Sequence, residues 1–234
     1  MPDDPLILLF VKAPIRGQVK SRLAAVLGQD AALELYRNFV LDILTSIEKS
    51  GVPCRICHHP PDGGEIVKTW LGDRFRYMPQ EGKDIGERME RAFRRAFSEG
   101  ASRAVLIGSD IPDLPPALLR DAVERLDRTG AVIGPAKDGG YYLIGFRNDA
   151  FFPGIFRVQE WSTGTVFKKT LQIFEEEQRE VSVLTSWQDV DTIDDLKDLM
   201  ERSRSSDSGA PRTMAYIAGI ETNLFFQEVR DAKV

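Results

Sequence analysis

The chain has 234 residues, a formal net charge of −5, 42 % hydrophobic and 29 % charged residues. That composition is ordinary for a globular protein and excludes a basic nucleic-acid coat, a membrane-spanning protein and a largely disordered chain. Two cysteines, Cys54 and Cys57, are too few to staple a chain of this length, and histidine only at 58 and 59 argues against a His-dependent triad.

The apolar run Leu6–Val11 has aspartates in front of it, where a secretory leader needs Lys or Arg. No stretch approaches the ~18 uninterrupted apolar residues of a spanning helix. The expectation is a reduced, cytoplasmic protein with no membrane span and no nucleic-acid partner. Any anion must then be held by a local basic cluster.

In chain order, Leu6–Val11 reads as a buried parallel strand ending at Ala13-Pro14. A basic segment from Gln18 to Leu27 precedes Gly28. From Asp30 as N-cap, Leu35, Phe39, Ile43 and Ile47 recur every four residues, and Gly51 stops the helix. Val52–His58 reads as a strand, Glu65–Leu71 as a short helix and Phe75–Met78 as a strand. Asp84 and Glu87 have capping-box spacing ahead of a helix carrying Met89, Phe93 and Phe97. Ala104–Ile107 is a further apolar strand, and Pro115-Pro116 opens a helix that ends at Gly130. Ala131–Gly134 and Tyr141–Phe146 are strands flanking a glycine-bearing loop. Ser162 or Thr163 caps a helix with Val166, Phe167, Leu171 and Phe174, and Val181–Trp187 is the next strand. Thr192 and Asp195 repeat the capping-box spacing before a last helix with Ile193, Leu196 and Met200.

This alternation predicts an α/β fold: a doubly wound, mostly parallel sheet with helices on both faces, spanning residues 1–202. Residues 203–212 read as a polar linker. Residues 213–234 read as a tail whose Leu224-Phe225-Phe226 patch would dock on the domain or on a second subunit of a homodimer.

Ligands gather at the carboxyl ends of strands in such sheets, and three clusters fall there. The first is Lys12-Ala13-Pro14-Ile15-Arg16-Gly17-Gln18-Val19-Lys20-Ser21-Arg22, four cations in a tight loop suited to phosphates, although basic loops are often merely solvated. The second is Gly108-Ser109-Asp110-Ile111-Pro112, where Asp110 would bind a divalent cation or simply close an Asx turn. The third is Asp189-Val190-Asp191-Thr192, whose two aspartates alternate onto one face, or punctuate a helix start. Lys137-Asp138-Gly139-Gly140-Tyr141-Tyr142 would bring backbone against a substrate or form a hairpin turn, and Trp161-Ser162-Thr163 would present a platform and hydroxyls or only cap a helix. Cys54-Arg55-Ile56-Cys57-His58 satisfies the spacing of covalent haem attachment. On a strand, positions three apart face opposite sides, so that reading is rejected.

Phe10–Pro14 with Gly17 and Val19–Leu23, then Gly86-Glu87-Arg88-Met89, Ile107–Pro112, Gly134–Ala136, Asp138–Leu143, Trp161–Thr163 and Asp189–Thr192, resemble, in that order, a bacterial family of GT-A-like transferases. The family is described as glycosyltransferase-like and is related to 2-phospholactate guanylyltransferase; the resemblance covers about residues 6–200. It implies the nucleotide-diphospho-sugar transferase fold, with Mg²⁺ or Mn²⁺ on Asp110 and Asp191. It implies nucleotide phosphates on Lys12, Ala13, Pro14, Arg16, Gly17, Lys20 and Arg22, with Gly86, Arg88 and Ser109 beside them. Lys20 and Asp110 take catalytic roles, and Asp138, Gly139, Gly140, Tyr141, Trp161, Ser162 and Thr163 lie on the acceptor side. One departure is the lack of an Asp-x-Asp motif, since Asp110 is followed by Ile111-Pro112. The first expectation is a metal-dependent transferase with a nucleotide-sugar donor. The second is a nucleotidyltransferase that joins a nucleoside triphosphate to a small phosphorylated acceptor. A non-catalytic nucleotide-binding module is the alternative of another class.

Overall fold

The computed structural model describes residues 4–157, 161, 164–204 and 209–220. Its elements are β1 (Pro5–Lys12), α1 (Ser21–Leu27), α2 (Gln29–Ser50), β2 (Cys54–His59), α3 (Gly64–Leu71), β3 (Arg76–Pro79), α4 (Ile85–Ser98), β4 (Arg103–Ile107), α5 (Pro116–Thr129), β5 (Ala131–Pro135), β6 (Tyr141–Arg147), α6 (Val166–Glu176), β7 (Ser182–Val183) and α7 (Ile193–Arg204). A further helix, α8, covers 211–220.

The seven strands form one sheet in the order β3-β2-β1-β4-β6-β5-β7. β1 pairs in parallel with β2 on one side and β4 on the other. The strand order therefore reverses at β1/β4, which opens a crevice beyond their carboxyl ends. The sheet is mostly parallel; β6 alone among the described strands runs antiparallel, against both β4 and β5. Strand alternation divides the core. Ile7, Leu9 and Val11 pack with α2, α3 and α5, whereas Leu8 and Phe10 pack with Met89 and Phe93 of α4 and the aromatics Phe146, Phe152 and Phe174. The same alternation sends Cys54 and Cys57 to opposite faces, and burial pushes the Cys57 thiol well up. Both cysteines are free. No described helix is long and apolar enough to cross a membrane.

Three local expectations change. Asp30 does not cap α2; Gly28, at φ 85°, ends α1 and begins α2 together, and the Asp30 carboxylate is instead taken by Arg16. Thr165 stands at the N-cap of α6, where its side chain makes no capping hydrogen bond, while Ser162 and Thr163 lie outside the described residues. The strand read over Val181–Trp187 shrinks to Ser182–Val183 plus an isolated bridge from Trp187 to Ala136. Between them the Thr185 carbonyl accepts the Tyr142 hydroxyl at 3.0 Å rather than a strand partner. One capping box is formed in full and the other in half, since the Glu87 carboxylate takes the Lys83 amide instead of that of Asp84. Asp84 Oδ1 accepts from the Glu87 amide at 2.8 Å, and Thr192 and Asp195 bond reciprocally.

Helix α7 runs on to Arg204 and α8 begins at 211, within the stretch read as linker. The anchor of α8 is Asp42 of α2, only 2 % exposed. Its carboxylate accepts from the amides of Arg212 (3.1 Å) and Thr213 (2.9 Å) and from the Thr213 hydroxyl (2.8 Å). One helix thus supplies the N-cap of another. Ile217 then joins a cluster with Leu23, Leu35, Phe39, Val190 and Leu199. Replacing Asp42 by Ala strands the buried Thr213 amide and hydroxyl and the part-buried Arg212 amide, and should lower unfolding stability by about 2–3 kcal/mol, read as a reduced urea midpoint. An unchanged midpoint would show that α8 does not depend on this cap.

Candidate active site

Lys20 is the centre of the crevice. Its backbone is left-handed (φ 49°, ψ 48°), an uncommon state for a side-chain-bearing residue that costs about 1–3 kcal/mol and collects at functional sites. The turn aims Nζ inward, where the side chain is 4 % exposed. Nζ donates to Asp110 Oδ1 at 2.5 Å, Asp191 Oδ1 at 2.8 Å and the Val190 carbonyl at 2.8 Å, and lies 5.4 Å from the Phe39 ring centroid. Burial alone would lower its pKa, but Asp110 and Asp191 outweigh it and hold the ammonium above its ordinary value. All three N–H donors are spent. The Val190 amide also donates to the Asp110 carbonyl at 2.8 Å, so three segments distant in sequence close around one ammonium.

Outside this bridge lies a cleft of about 180 Å³ lined by Lys12, Lys20, Ser21, Arg22, Tyr36, Ser109, Asp110 and Asp191. Among the described residues, neither Lys12 nor Arg22 has an ion-pair partner for its side chain, and both are exposed. Arg16 is not brought to the cleft: it is forked onto Asp30 (2.5 and 3.1 Å) and bonded to Gln29 (2.7 Å). Ala13 and Pro14 are buried, the first against the turn at Gly63, and Gly17 supplies a positive φ for the loop. Arg88 on α4 bonds the Gly82 carbonyl at 3.4 Å. Burial, then Arg88 and Lys12, depress the pKa of His59.

Two residues here were missed by sequence reasoning. The Tyr36 hydroxyl accepts from the Lys12 amide (2.6 Å), donates to its carbonyl (3.0 Å) and lies 3.5 Å from Ser109 Oγ, fixing the end of β1 to the end of β4. In the sequence Tyr36 is one more residue on the buried face of α2, and no local signal marks its hydroxyl. Asp189, placed by sequence in the third cluster but not among its site residues, keeps a buried Oδ1 without a partner. Burial pushes its pKa to about 8, with Asp110, Asp138 and Asp191 adding to the rise and Lys20 opposing it.

Two carboxylates, Asp110 and Asp191, therefore hold one buried lysine, and Asp189, with its orphaned carboxylate oxygen, lies within their field. No three acidic, His or Cys residues among those described converge as a complete metal cage. That donor set fits Mg²⁺ or Mn²⁺, which is commonly held by one or two carboxylates together with substrate phosphates.

A second cavity, of about 590 Å³, shares Arg22 and Asp191 with the first and is walled partly by Asp138, Gly140, Tyr141 and Trp161. Gly139 (φ 90°) lies behind it, where a Cβ would strike the Gly164 carbonyl oxygen at 2.1 Å. Gly86 lies under Trp161: a Cβ there would meet Cζ2 of the indole at 2.4 Å and the Phe156 carbonyl at 2.6 Å. This glycine makes room for the indole. Gly86→Ala should displace Trp161, lowering stability by about 1–3 kcal/mol and shifting the tryptophan emission to the red; unchanged emission would remove Trp161 from this wall.

Residues 43–163 match the model of a family described as an uncharacterized protein conserved in bacteria (DUF2064). No protein of curated function matches the chain. Among solved structures, a candidate nucleotide-diphospho-sugar transferase from Desulfovibrio desulfuricans G20 is 41 % identical, with 93 % of this chain and 95 % of that one aligned at a TM-score of 0.88. A nucleotidyl transferase from Methanothermobacter thermautotroptrophicus is 18 % identical over 86 % of this chain and 99 % of that one, at a TM-score of 0.58. A Mycobacterium tuberculosis H37Rv protein in complex with manganese is 18 % identical over 85 % and 98 %, at a TM-score of 0.50. The last two share the fold alone. By the match over half its length and by its 41 % identical relative, the chain belongs to this bacterial family with the nucleotide-diphospho-sugar transferase fold.

Proposed function

We propose that the protein is a nucleotide-dependent transferase, and that it transfers a nucleotidyl group from a nucleoside triphosphate to a phosphorylated small molecule. The observation that carries this reading is the Lys20 bridge to Asp110 and Asp191, facing a cleft in which Lys12 and Arg22 have no ion-pair partner among the described residues. Two uncommitted cations beside a strand end suit a polyphosphate chain.

In the proposed reaction an acceptor phosphate oxygen attacks the α-phosphorus and forms a new P–O bond. The bridging α–β P–O bond breaks, and pyrophosphate leaves with the electron pair. Lys12 neutralises charge on the leaving group, and Arg22, which lines both cavities, stands at the junction where the acceptor phosphate enters. Lys20 has no donor to spare, so it holds Asp110 and Asp191 in place. Ser109, fixed through Tyr36, offers a hydroxyl to a phosphate oxygen. A divalent cation on Asp110 and Asp191 would supply charge neutralisation for the phosphates. Glycosyl transfer from a nucleotide sugar is the second reading, favoured by the description of the 41 % identical relative.

The two readings differ in product. With Mg²⁺ or Mn²⁺, a nucleotide panel and phosphorylated acceptors, the protein should release pyrophosphate; release of a nucleoside diphosphate would mean glycosyl transfer instead. Asp110→Asn should lower kcat by roughly 10²–10³-fold, and chelation of the metal should abolish turnover. Full activity in either condition would overturn the proposed roles of Asp110 and the cation.

A further inference from the structure

The larger cavity is divided by chemistry. Its polar end is the junction with the phosphate cleft, where Arg22 is the one cationic side chain among the described lining residues and Asp191 stands beside it. The rest of the wall includes Phe10, Ile85, Met89, Tyr141, Trp161 and Val166. Tyr141 and Trp161 meet edge to face, ring centroids 6.4 Å apart at 79°, a rigid corner suited to a flat ring. Ile85, 36 % exposed, adds an aliphatic side chain to this wall.

The tyrosine hydroxyls of this wall are already engaged. The Tyr141 hydroxyl is turned onto Met89 Sδ at 3.8 Å, and the Tyr142 hydroxyl donates to the Thr185 carbonyl at 3.0 Å. The charged groups of the lining, Arg22, Asp191 and the exposed Asp138, whose Oδ1 accepts from the Gly140 amide at 2.8 Å, stand apart from the aromatic corner. A polyol lying on the Tyr141–Trp161 corner itself would give up hydrogen bonds to water and meet no free hydroxyl on the rings, whereas an apolar ring gives up none.

We infer that the acceptor is an amphiphilic monophosphate with an apolar, ring-bearing body rather than a sugar phosphate, the body lying on the Tyr141–Trp161 corner and the phosphate at Arg22. This rests on the nucleotidyl-transfer reading above, in which the acceptor phosphate supplies the attacking oxygen and pyrophosphate is the product. Its volume, about 590 Å³, is that of a pocket for a whole small molecule rather than a single ring.

The test is calorimetric titration of the full chain with phenyl phosphate, glucose 1-phosphate and inorganic phosphate in the presence of Mg²⁺. Phenyl phosphate should bind at least tenfold more tightly than either of the others. Trp161→Ala should bring it to the level of inorganic phosphate while triphosphate affinity stays within twofold. Ile85→Ser, at an exposed position in the first turn of α4, should weaken it several-fold with no change in unfolding midpoint. Equal affinity for phenyl phosphate and glucose 1-phosphate, no binding of either, or an aryl preference that survives both substitutions would overturn the inference. Displacement of phenyl phosphate by a nucleoside lacking phosphate would also overturn it, by giving the cavity to the base. The nucleotide reading fails separately, on absent triphosphate binding by the unaltered protein.

Discussion

A buried ammonium cannot stand alone, and the architecture of the crevice follows from satisfying one. Lys20 is nearly inaccessible, and its three protons are met by Asp110 from the end of β4 and by Val190 and Asp191 from the segment before α7. Removing one partner of such a bridge leaves an uncompensated charge, which costs far more than the intact bridge contributes. The basic loop after β1, the turn after β4 and the approach to α7 are therefore tied together. Beneath them, Phe39, Leu23 and Val190 share a cluster with α8, whose cap comes from Asp42. Burial of apolar side chains and satisfaction of one charge converge on the same spot.

That arrangement separates two environments a few residues apart. On one side, Lys12, Arg22 and Ser109 face a small polar cleft. On the other, aromatic and thioether side chains line a larger space whose nearest hydroxyls are bonded elsewhere. Arg22 and Asp191 belong to both. A reaction that joins a polyphosphate to an amphiphile would place its reacting atoms at that boundary, where the fixed charges stand, and would leave the apolar portion to provide binding energy at a distance.

Much of this was legible in the sequence, for reasons that differ by residue. Continuous apolar runs such as Leu6–Val11 announce strands buried on both faces, and reciprocal caps such as Thr192 with Asp195 announce helix starts, because each is a local rule. The opposed faces of Cys54 and Cys57 follow from strand period alone. Local rules fail where a distant residue intervenes. Arg16 looks equivalent to Lys12 in the basic loop, yet Asp30 at the start of α2 captures it. Asp30 resembles an N-cap until that pairing removes it. Tyr36 reads as one more core residue of α2, since nothing nearby in sequence reveals that its hydroxyl reaches Lys12 and Ser109. The antiparallel direction of β6 is likewise set by pairing with β4 and β5, and the glycine turn at 137–142 offers a hairpin as only one of two readings.

The central claim is that the Lys20 bridge organises a site for nucleotide phosphates. It is tested most directly by the affinity of a nucleoside triphosphate with Mg²⁺ for the Lys20→Met protein, with Arg16→Ala as the control at a cation already committed elsewhere. Lys20→Met should lower the unfolding midpoint and, in the folded protein, weaken binding at least tenfold, while Arg16→Ala changes affinity less than twofold. Unchanged affinity in a folded Lys20→Met protein, or an equal loss in Arg16→Ala, would contradict the account.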